Sequence, residues 1–292
     1  MDRQKQTGGS QPQLMMPSRE PTDAARADPS ARVAAPIPLR RKGIYVLPNL
    51  ITLGALFGGF YAVVMSMNGR FDLAAAGIFV ALVLDGLDGR VARMTRTQSA
   101  FGEQMDSLSD MVSFGAAPAL VAYEWGLRGL GRWGWIAAFV YVSCAALRLA
   151  RFNVNVSVVD RRYFQGLPSP AAAALVAGFL WLAHELDVQP AAAAWWLFGL
   201  TLYAGLTMAT NVPFYSFKDF EFKRSVPFAV IVLLALAIAV VNIHPPLVLG
   251  GLFALYGLSG YAVYGWRKLK GQPTSVISTS TSEPDERGLH ED

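Results

Sequence analysis

The sequence predicts an all-α fold, a polytopic membrane bundle of about eight transmembrane helices, on three observations. Apolar runs of roughly the 20 residues needed to cross a bilayer recur along the chain. Charge is scarce: 16% of the 292 residues are Asp, Glu, Lys or Arg and 53% are hydrophobic, whereas about a quarter of a soluble domain is charged. The basic residues also fall on alternate connections between the apolar runs, as they do in membrane proteins with a fixed orientation.

Residues 1–43 are rich in Pro, Ser, Gln, Ala and charge and lack apolar periodicity, which predicts a disordered N-terminal arm. They contain no apolar h-region, so a cleaved secretory signal is not expected. The transmembrane domain is expected over 44–270, with spans near 44–67, 72–93, 103–125, 132–153, 169–186, 190–210, 226–243 and 246–266. Gly126, Gly129, Gly131 and Gly134 crowd the link between the third and fourth spans. Very short links join the fifth to the sixth and the seventh to the eighth, as in antiparallel hairpins. Residues 271–292, GQPTSVISTSTSEPDERGLHED, read as a disordered acidic tail.

Arg40, Arg41, Lys42, Arg90, Arg93, Arg96, Arg148, Arg151, Arg161, Arg162, Lys218, Lys223, Arg224, Arg267, Lys268 and Lys270 fall on one side of such a bundle. Only Arg70, Arg128 and Arg132 fall on the other. Sixteen against three predicts a cytoplasmic location for both termini and for the basic face. That face would attract anionic headgroups, so the net charge of +4 reflects topology and not a nucleic-acid partner. The one cysteine, Cys144, excludes an internal disulfide and reads as a small buried side chain.

Residues 84–111, LDGLDGRVARMTRTQSAFGEQMDSLSDM, break the apolar pattern. Asp85 and Asp88 share a helix face at the end of the second span, and Ala92 continues it. Asp106 and Asp110 share a face at the start of the third, with Gly102 one turn earlier. Two antiparallel spans would bring the pairs together at one depth. An ionised Asp in a spanning helix costs about 2.5–3.5 kcal/mol, and four together repel one another, so the arrangement makes physical sense if cations neutralise it. Carboxylates without His or Cys describe a hard oxygen site suited to Mg2+, Mn2+ or Ca2+. Four can hold two divalent ions, as phosphoryl-transfer sites do. Gly86, Gly89 and Gly102 leave room for a polyphosphate, and Arg93 and Arg96 offer forked donors to its oxygens. Two other readings of the spacing stay open: Asp–Arg pairs that merely end two helices, and a cation pathway through a transporter.

Written as DxxDGxxARx₈GxxxDxxxD, the stretch from Asp85 to Asp110 resembles, without departure, the signature of the CDP-alcohol phosphatidyltransferase family. The neighbouring LPNLITLGALFGGFYA (47–62), DSLSDMVSFGAAPALVAYEW (106–125), ALRLARFN (146–153) and FQGLPSPAAAA (164–174) are similar to its membrane-embedded bacterial and archaeal phosphatidylserine synthases. The resemblance covers about residues 43–270. It implies transfer of a phosphatidyl group from CDP-diacylglycerol to the hydroxyl of L-serine, with CMP released at the cytoplasmic side of the inner membrane. It further implies that Asp85, Asp88, Asp106 and Asp110 hold Mg2+ or Mn2+, as two ions, and that Asp110 is the general base. Asn49, Thr52, Gly89, Ala92, Arg93, Ser99 and Gly102 match positions that contact CDP-diacylglycerol. A homodimer is also implied. Sibling enzymes accept choline, glycerol 3-phosphate or an inositol phosphate, and the residues alone do not separate these acceptors from serine.

Arg148 and Arg151 stand one turn apart near the cytoplasmic end of the fourth span. They either anchor that end or bind the acceptor's carboxylate or a phosphate. QGLPSP (165–170) predicts a turn with a helix starting at Ser169. Ala204, Thr207 and Thr210 form a small-residue stripe suited to close packing against a helix or a second subunit. Lys218, Asp219, Glu221, Lys223 and Arg224 read as a surface linker, Trp195 and Trp196 as interfacial aromatics, and His184 and His244 as outer-loop residues remote from the acids.

Overall fold

The computed structural model describes residues 39–95, 97, 99–155, 163–216 and 228–270. Most of the N-terminal arm, the C-terminal tail, Arg96, Arg161, Arg162 and the 218–224 linker lie outside the described residues.

Each of the eight expected spans falls on a helix. Helix α1 covers Leu39–Met67 and α2 Phe71–Thr95. Helix α3, Ala100–Asp110, runs on through a π-helical segment, Met111–Ala116, into α4, Ala117–Trp125. The backbone stays right-handed at both junctions, so the three make one continuous rod where a single span was expected. A short 3-10 turn, Leu127–Leu130, and Gly131 at φ +58° then reverse the chain. Helices α5 (Arg132–Asn155), α6 (Ser169–Glu185), α7 (Pro190–Ala209), α8 (Phe228–Ile243) and α9 (Pro245–Leu269) follow.

One boundary is corrected. Helix α1 starts at Leu39, so residues 39–43 belong to it and not to the arm. Their Arg and Lys suggest an arm by charge, yet both are good helix formers. The all-α class holds, with one short ribbon added to the helices: β1, Tyr163–Gln165, pairs antiparallel with β2, Pro213–Tyr215, Phe164 opposite Phe214. Three residues are too few for an alternating pattern to announce a strand.

Among the described residues, four helices are long and apolar enough to cross a membrane by length and composition: Leu47–Met67, Arg132–Val154, Pro190–Ala209 and Pro245–Leu269. The others fall short for physical reasons. Acids and arginines interrupt α2, and the α3–α4 rod, which starts at Ala100, carries Glu103, Asp106 and Asp110 and is broken into short helices by the π-helical segment. Helices α6 and α8 have 17 and 16 residues, about 25 Å at 1.5 Å per residue against a hydrocarbon core of about 30 Å.

Small residues set the packing. Helix α1 lies along α2 at Gly58, where an added Cβ would come within 3.0 Å of the Gly77 carbonyl oxygen. One residue on, a Cβ on Gly59 would lie 2.6 Å from Cα of Ser113 in the π-helical segment. Two adjacent glycines thus let α1 touch both of the helices that carry the acids. Helix α6 is buried along Ala171–Ala174 and Ala177 between α2, α7 and α9. The stripe on α7 packs within the chain: Gly205 meets the Tyr141 backbone on α5, and the Thr207 hydroxyl is 2.8 Å from that of Tyr261 on α9. Cys144 is free and buried. Trp195 and Trp196 are exposed, His184 stacks edge-on against Phe71, and His244 lies 3.7 Å from Glu185.

Candidate active site

The site is built on α1. Buried Thr52 donates its hydroxyl proton to Oδ2 of Asp88 on α2 at 2.7 Å. Its own backbone carbonyl accepts the Ser109 hydroxyl of α3 at 3.2 Å. One turn on, Ser113 donates to the Ala55 carbonyl at 3.0 Å. One residue therefore joins the helix of the first acid pair to the helix of the second. Ser109 and Ser113 lie four apart beside Asp106 and Asp110 on the sequence, and hydroxyls at that spacing within an apolar run were the available signal for this tie.

These ties converge the acids. Asp85, Asp88 and Asp106 each offer a carboxylate oxygen, and the three atoms lie within 4.8 Å of one another. At that separation two unit charges repel by about 3–4 kcal/mol at an effective dielectric constant of about 20. Asp110, one turn deeper on α3, faces Asp85 and Asp106, and its Oδ1 is buried with no hydrogen-bond partner. Gly86 and Gly89 open into space, with nothing within 4 Å of an added Cβ.

Arg148 of α5, 8% exposed, interacts electrostatically with Asp110. Its Nη1 donates to Ser169 Oγ at 2.8 Å, whereas its buried Nε has no hydrogen-bond partner. Arg151, one turn on, is engaged differently. Its Nη1 donates to Asn211 Oδ1 (2.9 Å) and the Ala209 carbonyl (3.3 Å); its Nη2 donates to the carbonyls of Gln165 (3.0 Å), Thr210 (3.1 Å) and Met208 (3.3 Å). The sequence suggested one role for the two arginines, and their partners divide them.

The remaining predicted positions lie on α1, in the last turns of α2 and at the start of α3. Ser99 caps α3 by accepting the Gly102 amide at 3.0 Å. Asn49 Oδ1 lies 3.4 Å from where a side chain on Gly102 would begin. The Ala92 carbonyl accepts the Thr97 amide at 3.0 Å, turning the chain out of α2. Arg93 is exposed in the last turn of α2. An Asn153–Ser107 hydrogen bond of 3.0 Å closes α5 against α3. The start of α6 at Ser169 falls where the sequence puts it, but its hydroxyl's hold on Arg148 does not follow from a turn motif.

A model of the CDP-alcohol phosphatidyltransferase family matches residues 45–208, a range that takes in all four acids, Arg148 and Arg151. The chain belongs to this family. Similar proteins share long stretches with this CDP-alcohol phosphatidyltransferase. A CDP-diacylglycerol–serine O-phosphatidyltransferase of Helicobacter pylori strain J99 is 34% identical over 215 residues, 74% of this chain and 90% of that protein. Proteins of the same name are 30% identical over 240 residues in Mycobacterium leprae, 80% of each chain, and 33% identical over 221 in Methanocaldococcus jannaschii, 75% and 95%. Membership sets aside the transporter reading of the acids.

The donor set of this phosphatidyltransferase fits a divalent cation. Three carboxylates converge without His or Cys, a fourth holds a buried oxygen free of partners, and their mutual repulsion calls for positive charge. Thr52 holds one of these carboxylates by a hydrogen bond, the arrangement found around carboxylates that ligate metals. Thr52→Val should therefore raise the Mn2+ concentration needed for half-saturation about 10–100-fold, read by direct Mn2+ binding, and Thr52→Ser should restore it. Equal affinities in all three proteins would remove Thr52 from that role.

Proposed function

We propose that this integral membrane enzyme transfers the phosphatidyl group of CDP-diacylglycerol to the hydroxyl of L-serine, giving phosphatidylserine and CMP. The observation that carries the reading is the juxtaposition of a convergent acid cluster with Asp110 and the buried guanidinium of Arg148. The acceptor named for the similar proteins supports serine. Asp85, Asp88, Asp106 and Asp110 would hold Mg2+ or Mn2+, as two ions, which when bound neutralise the diphosphate and the charge that develops on departing CMP.

The chain's own residues do the rest. Gly86 and Gly89 leave the backbone open to a bulky diphosphate, and Arg93 offers its fork to a phosphate oxygen. Asn49, Ala92 and Gly102 would contact the same substrate. The Thr52 hydroxyl already directs its one hydrogen toward Asp88 and the Pro48 carbonyl, so it meets the nucleotide as an acceptor; Ser99, accepting from Gly102, still has a proton to donate. Arg148 pairs with the serine carboxylate through donors that Ser169 leaves free, and this aims the serine hydroxyl at Asp110. Asp110 takes the hydroxyl proton as the oxygen attacks the lipid-bearing phosphorus. The new O–P bond replaces the bond from that phosphorus to the CMP oxygen, and the proton passes from Asp110 to water. No covalent enzyme intermediate is required.

The bias of sixteen basic residues against three supports eight crossings, with both termini and the site on the cytoplasmic side of the inner membrane. Helices α6 and α8 are shorter than the hydrocarbon core, a mismatch that local thinning of the bilayer would meet. A homodimer remains part of the proposal by family resemblance, and light scattering in detergent should give twice the chain mass; a monomer mass would remove it. Cysteines introduced near 97 and near 129 should react with impermeant reagent from opposite sides of the membrane. Labelling from the same side would contradict the topology.

Purified protein given CDP-diacylglycerol, Mg2+ or Mn2+ and a panel of acceptors should release CMP with serine. Serine-independent turnover with choline or glycerol 3-phosphate would overturn the acceptor assignment. Asp110→Asn should reduce kcat at least 100-fold, within the usual contribution of a general base, and should leave CDP-diacylglycerol binding largely intact. An active Asp110→Asn enzyme would remove Asp110 as the base.

A further inference from the structure

The acceptors of Arg151 trace a latch. Three of them, the carbonyls of Met208, Ala209 and Thr210, are at the C-terminal end of α7, where a helix leaves carbonyls without intrahelical partners and favours a cation. A fourth, the Gln165 carbonyl, belongs to β1, and the fifth is the side chain of Asn211. The guanidinium thus clamps the 165–167 segment onto the end of α7.

Two main-chain bonds lie beneath the clamp: Gly166 N–H to the Val212 carbonyl at 2.9 Å and Leu167 N–H to the Thr207 carbonyl at 3.2 Å. Gly166 has φ +75°, and a Cβ there would lie 2.5 Å from the Met208 oxygen, so the segment is pressed as close as a backbone can come. Two residues further on, fully buried Ser169 accepts Nη1 of Arg148. The contacts run from Arg151 through the 165–167 segment to Ser169, and from there to the guanidinium of Arg148.

We propose that Arg151 is a positioning residue for the acceptor subsite: it fixes the register of the 165–169 segment, and through Ser169 the aim of Arg148, without itself touching the acceptor. Its forked donors suit five converging oxygens, which a lysine ammonium cannot reproduce. The acceptor subsite then presents one guanidinium with free donors, suited to a single carboxylate, while the second guanidinium maintains its geometry. This rests on the acceptor reading of Arg148 given above.

The test is a double-variant cycle on Arg151→Lys and Ser169→Ala, with KM for serine, KM for CDP-diacylglycerol and amide hydrogen exchange measured on detergent-solubilised full-length enzyme. Arg151→Lys should raise KM for serine about tenfold or more, the size expected for hydrogen bonds to a charged group, and leave that for CDP-diacylglycerol within about twofold. Ser169→Ala should act in the same direction. The double variant should be no worse than the more impaired single one, since both act along one route. Multiplied effects, or an unchanged serine KM in Arg151→Lys, would overturn the proposal. If Arg151→Lys does not fold, Asn211→Ala removes one acceptor and should raise the serine KM by a smaller factor; no rise would overturn it. Amides of Gly166 and Leu167 should exchange faster in Arg151→Lys or Asn211→Ala before any substrate is added, and unchanged exchange would refute the latch itself. Should the wild type use another acceptor in place of serine, the serine reading fails by itself. The same cycle, run on that acceptor's KM, then decides the latch.

Discussion

Four carboxylates that repel one another cannot assemble their own site, and the rest of this structure depends on what holds them in place. The hold is Thr52. Its hydroxyl fixes Asp88 of α2, its carbonyl fixes Ser109 of α3, and the Ser113–Ala55 bond repeats the tie one turn on. A hydrogen bond between neutral groups contributes about 1 kcal/mol net to stability, and one to a carboxylate about 1.5–3 kcal/mol. Here each is buried, where leaving its polar atoms unpaired would cost more than forming the bond returns. Gly58 and Gly59 make these short ties possible by removing the side chains that would hold the three helices apart.

The arrangement has a chemical consequence. The buried Oδ1 of Asp110 and the buried Nε of Arg148 both lack a hydrogen-bond partner among the described residues. Buried polar atoms without partners cost stability, so packing alone does not account for them. In the proposed reaction a zwitterionic acceptor would meet both. The π-helical segment that starts right after Asp110 belongs to this geometry, because it carries Ser113 toward α1. Such segments recur at functional sites.

Much of this was legible in the sequence. Apolar run lengths located the helical rods among the described residues, and the i+3 and i+4 spacing of Asp85/Asp88 and Asp106/Asp110 anticipated the approach of Asp85, Asp88 and Asp106. Glycine and proline in QGLPSP marked the start of α6. What could not be read depends on the backbone of distant segments. The carbonyls of Thr52 and Ala55 carry no sequence signature, nor do those of Met208 to Thr210 that engage Arg151. For that reason Arg148 and Arg151 looked alike on the helix face, although one meets five oxygens and the other a single hydroxyl. The β1–β2 ribbon is legible only through its partner strand, 50 residues away in the Phe164–Phe214 pairing. The early start of α1 was hidden because basic residues serve helices and arms equally well.

The central claim is that these acids form a cation-dependent diphosphate site. Calorimetric titration of the purified protein with CDP tests it most directly, with Mg2+ present and again with the ion removed by chelator. The account predicts CDP binding that requires the ion and is lost in Asp88→Asn under both conditions. Equal CDP affinity with and without Mg2+ would contradict it.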